Sequence, residues 1–388
     1  MIELKSLCKS FDGVPAVRDL DLVVGRGEFL CLLGSSGCGK STTLRMIAGF
    51  VRPDSGSVLI DGVDVSGYGP DARPTSMVFQ DYAIFPHLTV AENIEFGLKA
   101  QKLPKDERAR RTGEALELVG LTGLGGRRPN ELSGGQQQRV AVARSLAIRP
   151  SVLLMDEPLS NLDAKTRIQL RTQLREIQRD TGTTIVYVTH DQEEALALGD
   201  RIAVMKDGSL EQLGSGHEIY LAPSNGYVAD FVGITNWLAG EYAGGSDDSW
   251  EVNVAGAVLP ATPASTSSPM SPMSPGSPGS PGSPGSPVDV SVRPEDVTLS
   301  SLSEEEAPGA GALRGVIRDV QFLGPVVRTY VEVGGSVVIV HSAQSDWSPG
   351  ANVRLSIGKG AARAFPRVEG AWRPPEAAAR LAVAAAAS

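Results

Sequence analysis

The stretch GSSGCGKST at 34–42 carries the clearest chemistry in the chain, because it fits G-x-x-x-x-G-K-[ST]. Gly34, Gly39, Lys40 and Ser41 occupy the required positions, and Ser35, Ser36, Gly37, Cys38 and Thr42 complete the loop. Glycines let successive backbone N–H groups converge on a phosphate without side-chain clash, and a helix N-terminus adds partial positive charge. Lys40 has the length to reach a β- or γ-phosphate, and the Ser41 hydroxyl can ligate Mg²⁺. The flanks agree: EFLCLL reads as a strand before the loop and TTLRMIAGF as a helix after it.

A nucleotide-hydrolysing site also needs acids and a water-positioning group. SVLLMDEP at 151–158 ends an apolar strand in two carboxylates. Asp156 is placed to hold Mg²⁺ directly or through water, and Glu157, one residue further toward the ligand, is the better general base. His190, in TIVYVTHDQEEA, ends another apolar strand. It is positioned to donate to a γ-phosphate and orient the attacking water, although a lone histidine is often structural. Gln80, in MVFQDYAIFPHL, offers an amide oxygen to Mg²⁺ or to that water.

The elements that must carry these residues follow from periodicity. Apolar runs at Glu28–Leu33, Val152–Met155, Thr184–Val188 and Arg201–Met205 alternate with helical patterns. Ala164–Arg179 is one such helix, with Leu170, Leu174 and Ile177 on one face. The expectation is an α/β domain over 1–235 with a mainly parallel sheet covered on both faces. Beyond Trp237, short segments at Trp250–Val254, Val288–Val292, Gly315–Val320 and Val337–Val340 predict a smaller all-β domain over 236–370. Residues 261–287, built from Ser, Pro, Gly, Ala, Thr and Met, read as a flexible, disordered insertion within it, and 371–388 as a tail.

Bulk properties narrow the function classes. Hydrophobic content of 41% and charged content of 21% are those of an ordinary globular protein. A net charge of −9 argues against nucleic acid as a partner. No apolar stretch reaches the ~20 residues that span a bilayer, so a membrane role would need a partner. MIELKSLCKS lacks the apolar core of a signal peptide. Cys8, Cys31 and Cys38 form no metal-ligand pair, and Cys38 inside the phosphate loop argues for a reducing cytosol.

GSSGCGKST, Gln80, LSGGQQQR at 132–139, LLMDEP, SNLD at 160–163 and His190 together resemble, in order and spacing, the nucleotide-binding subunits of ABC transporters over about 1–235. The resemblance implies an α/β P-loop NTPase fold that binds ATP with Mg²⁺ and works as a homodimer. In such a pair, each LSGGQ closes over the nucleotide held by the other chain. Ser133, Gly134, Gly135 and Gln136 are then ATP-binding residues in trans. The Ser133 hydroxyl and the two glycine amides can donate to γ-phosphate oxygens, backed by a helix expected to begin near Gln136. Asp163 connects the two sites. Phe11, in KSFDGVPAV, is implied to stack on adenine, with a core aromatic as the alternative. Tyr82, Ile84, Phe85, Leu88 and Val90 either form core or line the groove that receives a membrane subunit.

The second half narrows the resemblance. YVADFVGITNWLAGE at 227–241, SVRPEDVTL at 291–299 and FLGPVVRTYVEV at 322–333 resemble importer ATPases with an appended OB-like (TOBE) β domain. AGFVRPDSG at 48–56 and ITNWLAG at 234–240 look closest to the polyamine (spermidine/putrescine) branch, with iron(III) next and sugar, sulfate and phosphonate importers in the same group. The implied partners are two membrane-spanning permease subunits and, indirectly, a periplasmic or lipoprotein solute-binding protein. The implied location is peripheral, at the cytoplasmic face of the membrane. A non-transport ABC ATPase is the competing class. Its chromosome-type members need a long coiled coil between the two loops, and residues 41–132 leave no room for one.

Overall fold

The computed structural model describes residues 1–264, 283–302, 312–344, 346–367 and 372–374. The chain divides into two compact units, Met1–His217 and Glu218–Ser388.

In the first unit β1 (Ile2–Phe11) and β2 (Val14–Val24) form an antiparallel hairpin, followed by β3 (Phe29–Gly34) and α1 (Lys40–Ala48). Next come β4 (Ser55–Ile60), β5 (Val63–Asp64), β6 (Thr75–Val78), α2 (Val90–Ala100), α3 (Lys105–Leu118) and α4 (Gly134–Ala147). The unit closes with β7 (Val152–Asp156), α5 (Ala164–Thr181), β8 (Thr184–Thr189), α6 (Gln192–Leu198), β9 (Arg201–Lys206) and β10 (Ser209–Gly214).

A six-stranded sheet in the order β10-β9-β3-β8-β7-β6 is parallel throughout except at the β9–β10 edge. Its central strands β3, β7 and β8 are buried at every position, as continuous apolar runs require in a sheet covered on both faces. The α5 face also forms, with Leu170, Leu174 and Ile177 all buried and Ile168 exposed.

A second sheet, β2-β1-β4-β5, is antiparallel, and the sequence pattern does not predict it. Register shifts between Leu4 and Leu7, and positive φ at Ser6 and Asp19, interrupt the alternation by which strands are read from sequence.

The second unit contains most of α7 (Gly216–Leu221), then α8 (Gly226–Phe231) and, among the described residues, ten strands. Strands β11 (Asn236–Ser246), β12 (Ser249–Val254), β13 (Ala257–Pro263), β14 (Pro287–Val292) and β20 (Arg363–Pro366) close a barrel. Strands β15 (Val297–Ser301), β16 (Ala312–Phe322), β17 (Val327–Val333), β18 (Ser336–Ser342) and β19 (Asn352–Ile357) form a five-stranded sheet. One core, including Val252, Leu259 and Val290 from the barrel and Val331, Val353 and Leu355 from the sheet, joins them. The expected OB-like β domain is therefore present, while the expected boundary near 235 falls inside this unit.

The insertion is shorter than its composition suggests. Ala261–Pro263 belong to β13, where Ala257, Leu259 and Ala261 alternate into the core, and Pro287 opens β14. Small residues on a barrel's inner face carry little apolar signal, so the sequence places its edge too early. Ala264 and 283–286 are ordered as well, with the Ala264 N–H donating to the Ala364 carbonyl at 3.0 Å and the Gly285 N–H to the Tyr242 carbonyl at 2.8 Å. The remaining expectation of disorder falls on 265–282, outside the described residues. The expected tail is likewise outside them apart from 372–374, where Trp372 packs 5.3 Å from Trp237. Replacing 265–282 with a short Gly-Ser linker is expected to leave the melting temperature and basal ATPase unchanged. A calorimetric transition lost in that variant would overturn the reading of this stretch as an insertion.

Candidate active site

Strand order assembles the site. β3, β8 and β7 are parallel neighbours, with Leu33 beside Thr189 and Val188 beside Asp156. Gly34 at the end of β3, His190 just beyond β8 and Glu157 just beyond β7 therefore line one carboxyl edge of the sheet, where open α/β sheets bind ligands.

The phosphate loop depends on its glycines. A Cβ on Gly34 would lie 2.5 Å from both Cys38 Sγ and the Met205 carbonyl oxygen. Gly39 caps α1 at φ 101°, and a Cβ there would meet the Ala16 carbonyl at 2.3 Å. At Gly37, with φ 82°, a Cβ would meet nothing within 4 Å, so the crest of the loop is open for a ligand's approach. Lys40 Nζ donates to the Gly34 and Ser35 carbonyls, each at 2.8 Å, which holds the ammonium at the loop. Cys38 is buried, and burial pushes its thiol pKa up against the opposing pull of Lys40. A small, buried thiol of this kind fills the loop.

Ser41 Oγ donates to Asp156 Oδ1 at 2.7 Å, joining two of the three expected metal-binding groups. Arg45 Nη2 approaches Asp156 Oδ2 at 3.6 Å. Sequence reasoning missed Arg45, although it lies one helical turn beyond Ser41 on α1 and so shares its face. No cluster of three or more His, Cys, Asp or Glu suited to a metal occurs among the described residues. A hydroxyl and one carboxylate beside a phosphate loop instead fit Mg²⁺, which keeps water and substrate oxygens in its shell.

Glu157 sits at φ 45°, a left-handed conformation uncommon for a residue with a side chain, with its N–H held by the Val188 carbonyl at 3.0 Å. His190 Nδ1 lies 3.0 Å from Glu157 Oε2. Ser160 Oγ donates to the Glu157 carbonyl at 2.9 Å and receives Gln80 Nε2 at 3.4 Å, while Asn161 Nδ2 donates to the Gln80 carbonyl at 3.2 Å. Glu157, His190 and Gln80 are thus joined through Ser160 and Asn161, two residues whose part is not legible in the sequence.

LSGGQ behaves differently. The helix starts at Gly134, two residues before the expected Gln136, because Ser133 and Gln136 form a capping box. Ser133 Oγ accepts from the Gln136 N–H at 3.3 Å, and the Ser133 N–H donates to Gln136 Oε1 at 2.9 Å. A Cβ on Gly135 would fall 2.8 Å from Thr166 Cγ2, so glycine permits the close approach of α4 to α5. Among the described residues no hydrogen bond or ion pair joins 133–136 to 34–42. Asp163 caps α5 by accepting from the Thr166 N–H.

Phe11 stands at the tip of the β1–β2 hairpin, 47% exposed, with Lys9 Nζ 5.4 Å from its ring centre. It is not a core aromatic. The 82–90 cluster divides: Tyr82 and Val90 are buried, whereas Phe85 is only partly covered and packs 4.6 Å from the exposed Phe96. Arg144 binds the Tyr82 and Ala83 carbonyls and lies 5.5 Å from the Phe85 ring.

Fold and site together define a P-loop ATPase with an appended β domain. Residues 17–160 match the ABC transporter family and 290–365 the TOBE domain. A spermidine/putrescine import ATP-binding protein of Acidothermus cellulolyticus is 46% identical over 350 residues, covering 89% of this chain and 87% of that protein. An Fe(3+) ions import ATP-binding protein of Rhizobium etli is 43% identical over 360 residues, covering 92% and 95%. Among solved structures, a dimeric post-hydrolysis ATP-binding cassette bound to ADP and Pi matches at 34% identity and TM-score 0.50, over 55% of this chain and 98% of that one. The chain belongs to the ATP-binding subunits of ABC transporters that carry a C-terminal TOBE domain. No helix among the described residues is long and apolar enough to cross a membrane.

Proposed function

We propose that the chain hydrolyses ATP as one half of a homodimer beneath two membrane-spanning permease subunits, at the cytoplasmic face of the membrane, and energises uptake of a polyamine. The observation that carries this reading is the run of spermidine/putrescine import ATP-binding proteins at 42–46% identity across most of the chain. ITNWLAG at 234–240 supports the same branch. The Rhizobium etli relative supports iron(III) as the second reading.

In this reading the 34–42 loop cradles the phosphates of ATP, with Phe11 against the adenine. Ser41 and Asp156 would hold Mg²⁺, with the Gln80 amide as a further candidate, and the ion would neutralise phosphate charge. Glu157 takes a proton from the attacking water while His190, against its carboxylate, orients toward the γ-phosphate. Ser133–Gln136 close over the nucleotide of the other chain, which is consistent with a dimeric ADP- and Pi-bound cassette among the structural relatives. The partly covered Phe85 and the exposed Phe96 packed against it form the candidate seat for a permease segment.

The test is ATPase activity in proteoliposomes of the subunit assembled with candidate polyamine and iron(III) permeases and their binding proteins. Spermidine- or putrescine-loaded binding protein is expected to stimulate turnover several-fold above the unloaded complex. Stimulation by ferric iron alone would replace the polyamine reading with the iron one. Stimulation by neither, with normal basal activity, would exclude both solutes.

A further inference from the structure

Arg167, on the first turns of α5, takes no part in the chemistry above, yet its guanidinium joins two of the turns that carry it. Nη2 donates to the Leu162 carbonyl at 3.1 Å, inside the turn that follows Glu157. Nη1 donates to Asp191 Oδ2 at 3.0 Å, on the residue immediately after His190. Nε is buried, has no hydrogen-bond partner among the described residues and lies 3.8 Å from Glu194 Oε1.

The far side of this contact is well anchored. Glu194 is buried on α6, and its Oε2 accepts from both Tyr187 Oη and Thr189 Oγ1 at 2.8 Å. Asp191 caps α6 through the Glu194 N–H at 3.1 Å, and its own N–H donates to Thr189 Oγ1 at 2.9 Å. The turn bearing His190 is therefore fastened to β8 from below, and Arg167 grips it from the side.

The contacts close a ring. It runs from Glu157 through Ser160 to Leu162, across Arg167 to Asp191, to His190, and back to Glu157 through the 3.0 Å contact. Gln80 is fastened to the same ring through Ser160 and Asn161. A shift of the 160–163 turn must then change the His190–Glu157 geometry unless the Arg167 contacts break.

We infer that Arg167 is a positioning residue that ties the 160–163 turn to the His190 turn, so that a displacement of the first resets the second. The inference rests on the functional reading above. It adds the physical link by which Asp163, at the end of that turn, acts on the hydrolytic groups. A planar guanidinium suits the task because it donates to a carbonyl and a carboxylate at once in a fixed geometry, which a single ammonium does not reproduce.

The experiment uses the full chain and its variants Arg167→Gln, Arg167→Lys and Asp191→Asn. Asparagine keeps the α6 cap but loses the charge. Arg167→Gln is expected to lower kcat about tenfold, leave KM for ATP within about twofold and reduce the Hill coefficient toward 1. Arg167→Lys should fall between it and the parent. Asp191→Asn should move the same parameters, and the Arg167→Gln/Asp191→Asn double variant should be no worse than Arg167→Gln. Backbone hydrogen exchange without nucleotide should quicken in both 160–163 and 189–192. Unchanged kcat and Hill coefficient with unchanged exchange would overturn the link, as would exchange that quickens in one turn alone. A loss of activity matched by lowered melting temperature and raised KM would reduce Arg167 to a folding residue. If Glu157→Gln turned over normally while Arg167→Gln still loosened both turns, the functional reading would fall and the link would stand.

Discussion

Glu157→Gln is expected to bind ATP with parental affinity and to turn it over about 100- to 10,000-fold more slowly, the range that a positioned general base contributes. The amide is nearly isosteric, so the turn at φ 45° and the Ser160 bond to the residue 157 carbonyl are undisturbed. The proton acceptor is removed, and the carboxylate facing His190 Nδ1 becomes a neutral amide. Binding without hydrolysis should trap a nucleotide-bound dimer, visible as a doubled mass in sedimentation with ATP but not with ADP. Turnover within about tenfold of the parent would remove Glu157 from the role of base and shift attention to His190.

Ser133→Asp is expected to preserve the fold and weaken ATP-driven pairing. In the structure the Ser133 hydroxyl is an acceptor, capping α4 through the Gln136 N–H. Alanine would therefore confound a lost ligand contact with a lost cap worth about 1 kcal/mol. Aspartate caps as well as serine and favours the helix N-terminus electrostatically, so stability should hold or rise. The same charge opposes a γ-phosphate arriving from a partner chain, and like charges brought together at an interface cost several kcal/mol. In a Glu157→Gln background, dimerisation by ATP should weaken at least about tenfold, while fluorescent ATP binding to the monomer stays unchanged. Equal loss of monomer binding would mean that LSGGQ serves its own phosphate loop, and unaltered dimerisation would mean that Ser133 does not face phosphate.

The two variants address residues of different legibility. Glu157 is readable because an apolar strand ending in two acids is a local pattern, and the strand forms as β7 (Val152–Asp156). The Ser133 cap is harder to read, even though S-x-x-Q is a capping-box signature, because the glycines that follow look like loop rather than helix. Helix α4 overrides their propensity because Gly135 is needed where α4 meets Thr166 of α5. Arg45 and Arg167 escape sequence reasoning for a related reason. Each is one arginine among many on a helix surface, and its value lies in a partner distant in sequence: Asp156 for the first, Asp191 for the second. At the edge of the barrel, Ala261 is lost in a low-complexity stretch, since alanine carries too little hydrophobicity to mark a strand.

The phosphate loop, the acids at the end of β7, the α5 face and the presence of a second, β-rich unit were all determined by the sequence itself. Each is encoded by contiguous residues whose backbone needs or periodicity are local. Tertiary structure decided which of these meet. Parallel pairing in the order β3-β8-β7 brings Gly34, His190 and Glu157 to one edge, although more than 150 residues of chain lie between the first two. The same packing closes the ring through Arg167 and seals the barrel with β20, more than a hundred residues beyond β11. Hydrogen bonds between distant strands and helices depend on shape and register rather than on neighbouring residue types.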